Sequence, residues 1–282
     1  MARTRGRVGL IAAGLCWGAA LGLALGALVL APAMPGSVDL GTSDSQAGVG
    51  DDAQRDNSDR AAAQSEADAA NTLLAQESAT IVSGALQGVP ATIVRTAAAA
   101  DDDVEAVRWL LNSAGAADSG TITLTERFTD QASADELSSI VANTLPAGAQ
   151  LSVQERSPGT HAGESLAAVL FGGGAAGRPT ALDEERALVL ETLRSAQFIE
   201  YNGAIAPAGA LVIVDGPSRG GDFGAKVLGD FAQALASEGS TVLASQAVDP
   251  EPLDGVIVVG GVDREAGRIQ SVLAVARTEP AG

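Results

Sequence analysis

The chain has 282 residues carrying 17 basic and 35 acidic side chains, a formal charge of −18. That balance excludes a nucleic-acid partner and charge-driven docking on anionic lipid, both of which need basic patches. Hydrophobic residues make up 46% and aromatics only 3%, so the expected core is built from Ala, Val, Leu and Ile.

Taken in order, residues 1–7 form a basic tail with Arg3, Arg5 and Arg7, followed by the uncharged run 8–31. At about 1.5 Å per helical residue this run is long enough for a hydrocarbon core of roughly 30 Å. Positive charge before it and acidic chain after it place the N-terminus in the cytoplasm and the bulk outside, as a single-pass membrane protein. A cleaved signal peptide with its exit at Ala31-Pro32-Ala33 is the competing reading, but the apolar run is longer than that pattern uses. Gly14, Gly18, Gly22 and Gly26 recur at every fourth position. Such a row of small residues lets two backbones approach closely in lipid, which predicts a homodimer. The only cysteine, Cys16, lies in the same run, so the exported part has no disulfide.

Residues 36–58 read as a disordered acidic linker, and 59–87 as a helical stalk that turns apolar towards Leu86. Strands and helices then alternate over 88–276, before a short tail, 277–282. Pro90 to Arg95 reads as a buried strand, and Asp101, Asp102 and Asp103 open a helix with carboxylates at its positive end. The alternation Thr121 to Thr125 marks a strand, and Ser133 with Glu136 fits a capping box. Helices are predicted over 164–171, 183–196, 225–237 and 264–276, and strands over 210–214, 241–244 and 256–259. The predicted fold class is α/β: a membrane helix, an acidic linker and helical stalk, then a three-layer domain with a mostly parallel sheet.

The richest candidate ligand loop is 215–226, DGPSRGGDFGAK, which follows a strand and precedes a helix. Its Asp215, Gly216, Ser218, Arg219, Gly220, Gly221 and Lys226 stand where α/β sheets place ligands. The loop nevertheless lacks both the Gly-Lys-Ser/Thr and the Gly-x-Gly-x-x-Gly fingerprints, so a bound anion competes with an ordinary glycine-rich connection. Val259 to Asp263 is a second such turn. The lone His161 reads as a solvated loop residue, no pre-formed soft metal site can be read and the metal ligands stay unknown, and no nucleophile–base pair stands out, so the chain reads as a non-enzyme without a cofactor.

Val89-Pro90, Val94-Arg95-Thr96, Leu110 to Gly115, Gly120 to Thr125, Phe128, Ala134 to Leu137 and Leu145-Pro146-Ala147-Gly148 together resemble the MctB copper transporter family of mycolic-acid-bearing actinobacteria. Val262-Asp263, Ala266-Gly267 and Gln270 to Ala274 resemble that family's closing helix. The resemblance implies a cell-envelope protein of copper transport, a channel of the outer membrane that keeps intracellular copper low, with copper as transported ion. A transmembrane barrel would need many strands of about ten residues in in/out alternation, a pattern that 88–276 does not follow. The alternative is a non-enzymatic, membrane-anchored dimeric scaffold that meets an envelope or cell-division partner during septal cell-wall remodelling or cell separation. A third reading, a phosphorylated ligand on the 215–226 loop, rests on loop placement alone.

Overall fold

The computed structural model describes residues 48–147, 149–172, 181–217 and 222–278. The run 8–31 with its glycine row lies outside the described residues, as do Ser218, Arg219, Gly220 and Gly221. No helix among the described residues is long and apolar enough to cross a membrane. Two units are distinguished, 1–58 and 59–282. Of the first, residues 48–58 are the opening turns of helix α1 (Gly48–Val82). The helix therefore starts ahead of the expected residue 59, and the described end of the 36–58 linker is helical, because Ala53, Gln54 and Arg55 are good helix formers.

Residues 57–70 of α1 are exposed throughout, so local bonds such as Gln64 Nε2 to Asp68 Oδ1 (2.9 Å) are what they offer the helix. Further along, Leu74, Ser78 and Val82 recur every fourth residue and turn inward, with Ser78 and Val82 fully buried. The helix stops before Gly84, whose φ of +74° suits glycine and ends the turn short of Leu86.

The chain then runs β1 (Pro90–Thr96), α2 (Asp101–Ser113), β2 (Ala117–Leu124), two short 3-10 turns, α3 (Ala134–Asn143), α4 (Pro158–Leu170) and α5 (Asp183–Ser195). It continues through β3 (Ile199–Tyr201), β4 (Ala210–Asp215), α6 (Asp222–Ala236), β5 (Ser240–Ser245), β6 (Ile257–Val259) and α7 (Glu265–Thr278). The six strands lie in the order β3-β2-β1-β4-β5-β6. Every neighbouring pair is parallel except β2 with β3. A mostly parallel α/β sheet is what the alternating pattern predicts; β3, three residues long, is the strand it does not reveal.

The sheet is buried on both faces. Val94, Ile122, Leu124, Leu211 and Ile213 point into one layer with α3, α4, α5 and α6. Ile93, Val212, Val214, Val242 and Ala244 point into the other with α2, α7 and the end of α1. The interior strands thus read as continuous apolar runs. All five phenylalanines fall on the first face: Phe128, Phe171, Phe198 and Phe231 are buried, and Phe223 packs against them. Phe128 meets Phe231 edge-to-face at 5.2 Å. The second face has the aliphatic core that composition predicts.

Two local expectations are corrected. Ser133 makes no side-chain cap bond, because its backbone is already helical (φ −100°, ψ −2°) where the preceding 3-10 turn runs into α3, and Glu136 pairs instead with Arg127. Asp103 is not simply a charge at a helix start. It is buried and pairs with Arg268 Nη2 at 2.7 Å, while Gln246 Nε2 donates to its second oxygen at 2.7 Å. Arg268 also reaches Glu265 at 3.3 Å, and the Glu265 amide donates to Asn71 Oδ1 of α1 at 2.7 Å. The stalk helix therefore supplies the cap of α7.

Candidate functional site

From β1 the chain moves outward to β2, whereas β4, β5 and β6 build the sheet in the opposite direction. The connections that leave the carboxyl ends of β1 and β4 therefore part, and ligands in open α/β sheets lie in the crevice between such connections. A cavity of about 330 Å³ opens there. Thr96 and Ala98 line it after β1, Thr125, Glu126 and Thr129 after β2, and Asp215 and Pro217 after β4, with Gly224 and Leu228 of α6.

Asp215 is the polar centre of this crevice. Thr96 Oγ1 donates to its Oδ1 at 2.8 Å. Burial pushes its carboxyl above the usual carboxylate range, and the bonds from Thr96 and the Gly216 amide offset only part of that rise. For an acid whose folded value is raised, the folded state holds the proton more tightly, so stability falls as pH rises from the unfolded value through the folded one. Asp215→Asn, which keeps an acceptor for Thr96, is therefore expected to leave Tm at pH 7 unchanged or higher by a few degrees. Calorimetry checks this, and at low pH the two proteins should converge.

The other predicted site residues separate. Gly216 serves packing, since a Cβ there would stand 1.9 Å from Ala98 O. Lys226 lies outside the crevice lining, its Nζ bonded to both oxygens of Asp230 at 2.8 and 3.0 Å, a helical i,i+4 pair. In the second glycine turn a Cβ on Gly260 would meet Ala247 O at 2.5 Å, so that turn too is a close contact. His161 is not in a loop: it sits on α4 with Nε2 3.0 Å from Ser152 O. Thr96, Thr125, Glu126 and Thr129 are the lining residues that sequence reasoning misses. The signal was available, since Thr96 and Thr125 stand at the ends of two predicted strands, but only the strand order brings them to Asp215.

A larger groove of about 590 Å³ beside α2 contains Arg95, Arg108 and Arg194. Each is already paired, with Asp101 (2.5 Å), Glu105 (3.0 Å) and Glu191 (2.6 Å). Among the described residues no group of three or more His, Cys, Asp or Glu could hold a metal ion.

The family described as "Copper transport outer membrane protein, MctB" matches residues 8–281, from the apolar run to the end of α7 and beyond. The chain belongs to the MctB family. Relatives named Copper transporter MctB agree: that of Mycobacterium tuberculosis (strain ATCC 25618 / H37Rv) is 34% identical over 226 residues, 73% of this chain and 72% of its own. That of Mycobacterium leprae (strain TN) is 34% identical over 218 residues, 69% of this chain and 68% of its own. The crevice and the stalk of this MctB-family chain both fall within the family match.

Proposed function

We propose that this chain is a membrane-anchored cell-envelope protein of copper transport that limits intracellular copper. Membership of the MctB family carries the reading. The anchor is residues 8–31, with the N-terminus cytoplasmic and the α/β domain outside, and the family description points to the outer membrane. Copper favours thiolate and thioether donors. Cys16 lies in the anchor and Met34 directly after it, whereas the one histidine is bonded to Ser152 O. We therefore assign the copper path to an assembly of the anchor, a homodimer closed on Gly14, Gly18, Gly22 and Gly26, rather than to the folded domain.

The second reading, the scaffold that meets an envelope or cell-division partner, is favoured by residues 57–70 of α1, exposed on every side. One experiment separates the two. Deletion should raise intracellular copper several-fold, and wild-type protein should restore it. A Gly18→Leu/Gly22→Leu variant should lose crosslinked dimers and fail to restore it. Unchanged copper on deletion would sink the transport reading, and unchanged copper with unseparated daughter cells would select the scaffold.

A further inference from the structure

Asn71 of the stalk helix caps α7 across 194 positions of chain, although a second acceptor stands beside α7 itself. We propose that residues 71–82, the last turns of α1, are a releasable strap against the α2–α7 layer, and that α7 exchanges its cap from Asn71 to Asp263 when the strap lifts.

The strap's contacts are graded along its length. Asn71 and Leu74 are half-buried, Ser78 and Val82 are fully buried, and Val82 shares its core layer with Leu110 of α2 and Val272 of α7. Ser78 adds little attraction across the contact, because its hydroxyl is bonded back to Ala75 O of its own helix at 3.1 Å. Beyond the helix the chain is pinned: the Leu86 and Gly88 amides donate to Ala114 O and Gly115 O, each at 2.9 Å. Gly84 lies between strap and pin with φ +74°, and a Cβ there would meet nothing within 4 Å, so it is the pivot. Residues 57–70 are exposed throughout, so a load on that stretch reaches Asn71 first. The strap then lifts from its weakly held end, as segments with few buried apolar contacts open ahead of a core.

The cap is what couples strap and domain. α7 opens at Glu265, whose amide donates to Asn71 Oδ1 at 2.7 Å. Asp263 stands two residues before that amide, exposed, its carbonyl receiving Arg268 Nη2 at 3.4 Å and its carboxylate without a partner among the described residues. A carboxylate at this spacing caps the same N–H as an Asx turn or N-cap. One amide proton makes one strong bond at a time, so the two caps are alternatives. The local cap lowers the cost of release and keeps α7, with its Arg268–Asp103 pair, in place.

The test is amide hydrogen exchange, read by mass spectrometry on the full-length chain in mild detergent. Helices owe most of their stability to packing, so the lifted strap exchanges. Residues 71–82 should exchange about tenfold or more faster than β4 and β5. Asp263→Ala should slow them about fivefold, because the lifted state loses its cap while the docked state keeps Asn71. Adding Asn71→Ala should return the rate to about the wild-type value, since neither state is then capped. Simple destabilisation has the opposite sign and speeds exchange at the first step. Asp263 is exposed and Asn71 half-buried, so both variants fold. The proposal is overturned if 71–82 exchanges no faster than β4 and β5, or if Asp263→Ala leaves that exchange unchanged or speeds it. A double variant no faster than Asp263→Ala also overturns it.

Discussion

Replacing Arg268 with alanine is expected to lower stability by about 3 kcal/mol. For a domain of this size that is a fall in Tm of about 6–12 °C by differential scanning calorimetry. Arg268 holds two carboxylates whose side chains are 7% and 9% exposed, Asp103 and Glu265, and its Nε donates to Val262 O at 2.9 Å. Its own side chain is 17% exposed, which keeps the expected loss at the lower end for a buried pair. Removing the guanidinium leaves both acids in the α2–α7 layer without a cation, so desolvation dominates over lost attraction. Arg268→Met with Asp103→Asn should recover a good part of the loss, because one orphaned charge has gone and the methionine refills the space. A double variant no more stable than Arg268→Ala would show that the ion pair is not the source of the effect.

Glycine-to-alanine changes in α4 are expected to act against helix propensity. In an exposed helix the exchange gains about 1 kcal/mol. At Gly159 an added Cβ would stand 2.1 Å from Val227 O, and at Gly163 it would stand 2.6 Å from Ala234 Cβ and 2.8 Å from Phe231 O. The two positions, four residues apart, are where α4 lies against α6, and backbone on one side cannot yield as a flexible side chain would. Each change should therefore destabilise by about 1–3 kcal/mol as overpacking. Gly229→Ala, inside α6, meets only the Leu253 side chain at 3.4 Å and should be neutral or stabilising. Urea unfolding of the three variants checks the order, and equal midpoints would show that α4 and α6 have slack at their contact.

What was legible in the sequence follows the range of the interaction that decides it. Apolar runs such as 210–214 and alternations such as 121–125 identify strands because burial writes a period into neighbouring residues. Ile199-Glu200-Tyr201 is too short to carry a period and owes its state to pairing with Ile122, Thr123 and Leu124. The Ser133–Glu136 pattern reads as a cap, yet Asp130 caps the preceding 3-10 turn through Ala132 N and displaces it. At the site, Asp215 is legible because a polar residue ends an apolar strand. Thr96, 119 positions earlier, is not, since only the strand order makes them neighbours. The same holds for Asp103, whose buried partner Arg268 lies 165 positions away.

The bond from the Glu265 amide to Asn71 spans 194 positions. Ribosomes add about 5–20 residues per second, so the receiving oxygen exists for roughly 10–40 s before its donor is made. Over most of the same interval β1 has no β4 beside it, although Ile93 and Val94 depend on that neighbour for burial. Native structure in this domain is thus a late event in the life of each newly made chain, and until β4 emerges one edge of β1 has no partner strand.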